Sequence, residues 1–298
     1  MKETTLFISF PWLLVVLILA TGGRLSGWGA DLKEPEMVLI PAGSFLFGPT
    51  EKEKERVWVL PTEATPQTIL SATFFIGKYP VTNEEYAVFM EEGGYREAGL
   101  WSADGWSWKE RLGWTEPRRW RDPDYNGPGK ERYPACALSW YEADAFCRWL
   151  AQRTGRRYRL PTEREWEKAA RGEDGRIFPW GDEWNPKACN WLADTDGDRL
   201  PNMEEDRYIR TAPVDAYEAG KSPYGCYEMA GNVLEWCADA WSGEPSSRHA
   251  GEVRVFRGGC FLSGEPRQLR CSWRGGTFAE IGHVYWGIIG FRVAQDVP

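Results

Sequence analysis

Between Asp194 and Glu205 the chain reads DTDGDRLPNMEE, which sets oxygen-bearing groups at the first, third, fifth, seventh, ninth and twelfth places of a loop. Asp194, Asp196 and Asp198 offer carboxylates, Leu200 a backbone carbonyl, Asn202 an amide oxygen and Glu205 a terminal carboxylate. Hard cations take six to eight oxygen ligands, and this is the ligand spacing of a calcium loop. Arg199 stands where such loops have the glycine of the sharp turn, at a cost of about 1 kcal/mol if the backbone must adopt positive φ. No helix pair flanks the segment, so an extracellular repeat loop is a nearer analogue than a cytosolic sensor.

The softer donors are seven cysteines and two histidines. Cys136/Cys147, Cys226/Cys237 and Cys260/Cys271 are each eleven residues apart, but spacing alone does not fix connectivity. Cys260 and Cys271 could form a redox pair; against that, a cysteine in an exported chain is more often buried or disulfide-bonded than reactive. His249 and His283 fall in expected loops, where a lone histidine is more often a surface residue than a ligand. No nucleophile-elbow motif supports a serine hydrolase.

These groups need a framework, and composition describes it. Eighteen Trp, 32 Gly and 20 Pro in 298 residues point to large planar side chains packed between irregular loops, with few long helices. The length suits one large core. A net charge of −8 and a pI near 5.1 weigh against nucleic acid, which needs a positive surface, and favour cations. At the N-terminus, Lys2 precedes an uncharged stretch from Thr4 to Gly23 whose apolar centre runs from Trp12 to Ala20, and Arg24 ends it. That centre is shorter than the roughly 20 apolar residues of a spanning helix. Residues 1–30 therefore read as a signal peptide cleaved near Ala20 and Gly22, or as a retained anchor that tethers the chain to a membrane through residues 4–23. Both readings place the folded part, residues 35–298, outside the cytoplasm, periplasmic or secreted.

Along that part, MVLIPAGSFLFG from Met37 predicts two short strands around a Pro-Ala-Gly turn. In FFIGKYPVTNEEYAVFM, Pro80 stops a strand and Thr82 or Asn83 caps a helix with Tyr86, Phe89 and Met90 inward. The Trp-rich stretch from Gly93 to Tyr125, broken by Gly and Pro, predicts a packed loop and not a helix. Ser139 with Glu142 and Thr162 with Glu165 form capping boxes that open two helices. The first buries Ala143, Phe146, Cys147 and Leu150 and ends at Gly155.

Several of these strings, above all RYRLPTEREWE, CYEMAGNVLEW, RYIRTAPVDAY and RGGCFLSGEPRQLRCSWRGG before GIIGFR, resemble the formylglycine-generating enzyme, or sulfatase-modifying factor, family. The resemblance runs from Met37 to Ala294. It implies an α+β fold, the formylglycine-generating-enzyme fold, a decorated C-type-lectin-like architecture with low regular secondary structure. It also implies two calcium sites. One takes the side chains of Glu228 and Glu235 with the carbonyls of Gly231 and Val233; the other takes the side chains of Asn190 and Asp206 with the carbonyls of Trp191 and Tyr208. The family usually has Asn or Asp at the place of Glu228.

The family's copper chemistry needs two thiolates, the first four residues after the Gly-Gly pair. Ser263 occupies that place, and Gly264 to Leu269 contains no cysteine for the second. Copper(I) is soft and a serine oxygen does not replace a thiolate, so copper is not expected; Cys260 is the nearest thiol and the one catalytic candidate. The family's cysteine bridges are also missing, since the partner places of Cys147 and Cys271 are Val293 and Ala170. The iron-binding histidines of the related ergothioneine-forming enzymes lie on a helical domain for which this chain has no room.

Trp273, Arg274, Phe278, Tyr285 and Trp286 lie, by resemblance, beside the old substrate groove, and aromatics with Arg are the chemistry of a binding hot spot. Each is as readily a core residue. The expectation is a calcium-stabilised, extracytoplasmic domain that binds a protein or peptide partner without catalysis; the alternative is a divergent oxidase acting on a protein cysteine.

Overall fold

Short strands and five helices follow one another in a computed structural model that describes residues 33–56, 59, 65–192, 208, 210–241, 252–280 and 287–297. In chain order they are β1 (Met37–Ile40), β2 (Gly43–Phe47), α1 (Glu51–Arg56), β3 (Gln67–Ser71), β4 (Phe74–Gly77) and α2 (Asn83–Glu91). Then come α3 (Ala103–Leu112), α4 (Trp140–Thr154), β5 (Tyr158–Arg159), α5 (Glu163–Arg171), β6 (Leu234–Ala240), β7 (Val253–Arg257), β8 (Arg274–Phe278), β9 (Ile289–Gly290) and β10 (Ala294–Asp296). Helix and strand are mixed and regular structure is modest, so the fold is α+β, with long irregular stretches between elements.

Three sheets form among the described residues, ordered β1-β4-β10-β5, β2-β3 and β8-β7-β6-β9. The Pro-Ala-Gly turn does not make a hairpin. β1 pairs with β4, Ile40 opposite Phe74, whereas β2 pairs with β3, Phe45 opposite Ile69, so the turn passes the chain from one sheet to another. Within the first sheet Ile40, Phe74 and Ile76 pack on Trp166, Ala169 and Ala170 of α5. A second core gathers Tyr86 and Phe89 of α2, Phe146 and Trp149 of α4, and Phe291. Its rings meet edge-on or stacked, as at Tyr86 and Phe146, 5.6 Å apart and nearly parallel.

The helix starts are where the capping chemistry puts them. Thr82, Ser139 and Thr162 each accept from the backbone three residues on, while Glu85, Glu142 and Glu165 reach back to the cap amide. Gly155 closes α4 in the left-handed conformation. The Trp-rich stretch corrects the loop expectation: Ala103–Leu112 is a helix, capped by Ser102 and ended by left-handed Gly113. Gly105 misled the reading because glycine disfavours helix interiors. Here it is a contact residue, since a Cβ would lie 2.9 Å from that of Tyr141 on α4.

One feature had no sequence signal. Arg274, Glu163, Arg257, Glu167, Arg171, Glu53 and Arg270 form a buried relay of alternating charge. α5 supplies Glu163, Glu167 and Arg171 at helical spacing, so one face of that helix pairs with β7, β8 and α1, and Glu53 of α1 carries the relay on to Arg270 in the loop before β8.

The cysteines need a correction. Seven cysteines in an exported chain suggest disulfides with at least one thiol left over, yet all seven are free and buried. Cys226, Cys237 and Cys271 fill space in the core around Trp166, and Cys147 and Cys260 in the core around Phe146, as small apolar groups. In denaturant without reductant, a colorimetric thiol titration should therefore count seven thiols per chain, and almost none in the native state. A lower count in denaturant would reveal a bridge.

Candidate functional site

The Gly258-Gly259 pair begins a turn that only glycine allows. Both residues have positive φ, 93° and 69°, and a Cβ on Gly259 would sit 2.7 Å from the Gln268 carbonyl. The chain then folds on itself. The Cys260 amide donates to Ser263 Oγ at 3.0 Å, the Ser263 amide donates to the Cys260 carbonyl at 2.9 Å, and Ser263 Oγ lies 4.0 Å from Cys260 Sγ. Both side chains are buried, and burial pushes the Cys260 thiol up to about 11. A thiol held protonated in this way is a poor nucleophile and a poor metal ligand near neutral pH.

A second loop is fastened to this turn. Gly231 N donates to the Gly258 carbonyl at 2.8 Å and Phe261 N to the Asn232 carbonyl at 3.0 Å. Three residues in this loop have positive φ: Glu228 at 56°, Gly231 at 81° and Asn232 at 61°. For the two that are not glycine this is an uncommon conformation, held by surrounding bonds. Asn232 is clamped, its amide accepting from Ala212 N at 2.8 Å and donating to the Ala212 carbonyl at 3.1 Å. Gly231 cannot carry a side chain, since a Cβ would lie 2.4 Å from the Asn190 carbonyl.

This geometry bears on the expected cation ligands. Glu228 is buried and neither carboxylate oxygen has a hydrogen-bond partner. Burial raises its pKa well above the ordinary value, and Glu235 adds to the rise against the pull of Arg292. A buried carboxylate without donors is costly unless a cation or proton meets it, so the residues fit a bound cation. Glu235 is differently placed. Its Oε2 accepts from Arg292 Nε at 2.6 Å and Trp166 Nε1 at 2.8 Å, while Oε1 accepts one bond, from Arg292 at 2.7 Å. Oε1 is thus the atom with capacity left for a cation. Among the described residues no three Asp, Glu, His or Cys side chains converge.

In the second expected set, the Asn190 amide nitrogen donates to the Arg210 carbonyl at 2.7 Å and to Asn232 Oδ1 at 3.3 Å. Trp191 donates its indole N–H to the Pro186 carbonyl at 3.2 Å and meets Trp184 edge-on. The Tyr208 ring packs edge-on against Tyr133. Asp206 lies outside the described residues, as do Asp194, Asp196, Asp198, Leu200, Asn202 and Glu205 of the acidic loop, both histidines, and Tyr285 and Trp286 of the groove.

Two of the remaining groove residues are corrected. Arg274 is 8% exposed, its guanidinium bonded to both oxygens of Glu163 at 2.6 and 2.7 Å and lying 4.4 Å from the centre of the Trp241 ring. Phe278 is 9% exposed and pairs with Val253 across β7. Alternation along β8 turns both into the fold. Trp273 is half-buried against Phe256 and is the described groove residue with surface left for a partner.

The comparisons agree with this architecture. The model of the sulfatase-modifying factor enzyme 1-like domain matches residues 28–297, and this chain belongs to that family. A formylglycine-generating enzyme of Thermomonospora curvata is 31% identical over 271 residues, covering 77% of this chain and 83% of the relative. A mouse relative named inactive C-alpha-formylglycine-generating enzyme 2 is 32% identical over 77% of this chain and 75% of its own length. A hercynine oxygenase of Mycolicibacterium smegmatis is 32% identical over 87% of this chain, which spans 61% of that enzyme. The solved structure of PvdO from Pseudomonas aeruginosa superposes with a TM-score of 0.60 at 26% identity, covering 88% of this chain and 95% of that one. The fold is that of the formylglycine-generating enzymes.

Proposed function

We propose that this chain is a non-oxidising member of its family, an extracytoplasmic, calcium-stabilised domain that binds a protein or peptide partner beside the turn from Gly258 to Ser263. The observation that carries the reading is the Cys260–Ser263 turn. Its one thiol is buried and its hydroxyl is used inside the turn, so it does not offer the paired thiolates that copper(I) requires. A relative that bears the word inactive in its name gives the reading a precedent within the family.

Calcium, if bound, is held by both oxygens of Glu228, Glu235 Oε1 and the carbonyls of Gly231 and Val233. A second ion takes Asn190, Asp206 and the carbonyls of Trp191 and Tyr208. The cation supplies neutralising charge beneath the turn and no chemistry. The apolar segment from Thr4 to Gly23 is the basis for the extracytoplasmic placement, as a cleaved signal or a tether.

The second reading is a divergent oxidase acting on a protein cysteine, favoured by relatives named formylglycine-generating enzyme and hercynine oxygenase. One experiment separates the two. A cysteine-containing sulfatase-motif peptide incubated with the protein, copper and oxygen should return unmodified by mass spectrometry. Conversion of its cysteine to an aldehyde, lost in Cys260→Ser, would establish the oxidase instead.

A further inference from the structure

The Glu228 loop and the turn after Gly258 are joined closely enough to move together. Gly231 N donates to the Gly258 carbonyl and Phe261 N to the Asn232 carbonyl, so the two main-chain bonds between loop and turn land on either side of Cys260. A third tie runs through a side chain. The Trp166 ring lies against Gly258, where a Cβ would be 3.1 Å away, and its indole N–H donates to Glu235 Oε2 at 2.8 Å. Val233 and Phe261 also share one small apolar core with Tyr125 and Cys136.

The loop itself is held unevenly. Glu228 and Asn232 both have left-handed backbone, at φ 56° and 61°, a conformation that residues with a Cβ rarely adopt. Asn232 is secured by its bonds to Ala212 and Asn190. Glu228 has no such bond, for both of its oxygens are buried without a donor. Two further carboxylates act on it, and each has an arginine: Glu235 pairs with Arg292 at 2.6 Å and Asp215 with Arg132 at 2.9 Å. Glu228 is the carboxylate of the three left without one. The closed loop is therefore costly unless positive charge meets that side chain.

We propose that cation binding at Glu228 latches the turn. With the ion bound, the segment from Gly258 to Ser263 stays folded over Cys260; without it the loop relaxes, its bonds to Gly258 and Phe261 part, and the thiol meets solvent. In the closed form Cys260 is 4% exposed. An ion shifts such an equilibrium only as far as it binds one form better, and the closed form alone keeps Glu228 buried and donorless. The latch rests on the cation reading given above and supplies the regulation of the same binding turn, since a partner beside it meets a different surface in each form.

The test uses the full chain well below its melting temperature, in calcium or in chelator. A pulse of iodoacetamide followed by peptide mapping in the mass spectrometer gives an alkylation rate for each of the seven cysteines. Chelator should raise the rate at Cys260 about tenfold, as a local opening does, and leave Cys147 on α4 and Cys271 sealed in their cores. Glu228→Gln keeps the shape of the side chain and removes its charge. In that variant Cys260 should be labelled at one rate with calcium or without.

If calcium raises the melting temperature of the wild type while the Cys260 rate stays the same, the latch fails and the cation reading stands. If neither responds, both fail. A parallel rise at all seven cysteines would mean general loosening and would overturn the latch, as would calcium-dependent labelling that survives Glu228→Gln. Should that variant not fold, the wild-type map decides alone.

Discussion

Glu167→Ala is expected to destabilise the protein by about 3–5 kcal/mol, enough to remove much of the stability of an ordinary domain. Glu167 is fully buried in the middle of the ion-pair relay. One oxygen takes Arg171 at 2.8 Å and the Gly48 amide at 2.7 Å, and the other takes Arg257. Alanine leaves two buried guanidinium groups short of a partner, and arginine does not escape by losing its proton. The cost arises from those orphaned charges and not from the net worth of the pairs, which is small against a well-packed apolar core. Glu167→Gln keeps one acceptor and should therefore cost less. Urea unfolding at neutral pH measures both, and a loss under about 1 kcal/mol for alanine would show that water reaches the relay.

Removal of calcium is expected to lower the melting temperature by about 6–10 °C, the equivalent of about 3 kcal/mol for an ion present at a hundredfold over its dissociation constant. Glu228 is the reason. Its two oxygens have no donor, its backbone is left-handed, and Glu235 stands close enough to raise its pKa further. A bound cation would neutralise the buried, donorless carboxylate. Glu228→Gln keeps the shape and removes the charge, so it should abolish most of the calcium response, and Asp206→Asn should remove what remains. Equal melting temperatures for the wild type in calcium and in chelator would end the cation reading.

Much of the frame was legible because it is written in local rules. Capping boxes at Ser139 and Thr162, the glycine stop at Gly155, and inward Tyr86, Phe89, Phe146 and Leu150 all stand where periodicity and cap chemistry put them. α3 was missed because Gly105 speaks against a helix locally, and its reason, the closeness of Tyr141, lies on another element. The charge relay was missed for the same kind of reason. Glu53 and Arg270 are 217 residues apart, and no local pattern links them. In the groove, Arg274 and Phe278 had binding-site residue types, but alternation along β8 and the reach of Glu163 turned both inward.

By itself, the sequence determined the family, the α+β class, the capped starts of α2, α4 and α5 and the serine at position 263 in place of the first thiolate, because identity, spacing and cap chemistry are properties of neighbours along the chain. Only the tertiary structure decided that the seven thiols stay apart in their cores, that Glu228 waits without donors while Glu235 is claimed by Arg292, and that Glu53 of α1 joins the buried relay through Arg171 and Arg270. Each of these depends on which groups share a low-dielectric interior, where an unpaired charge is costly and a paired one fixes its neighbours.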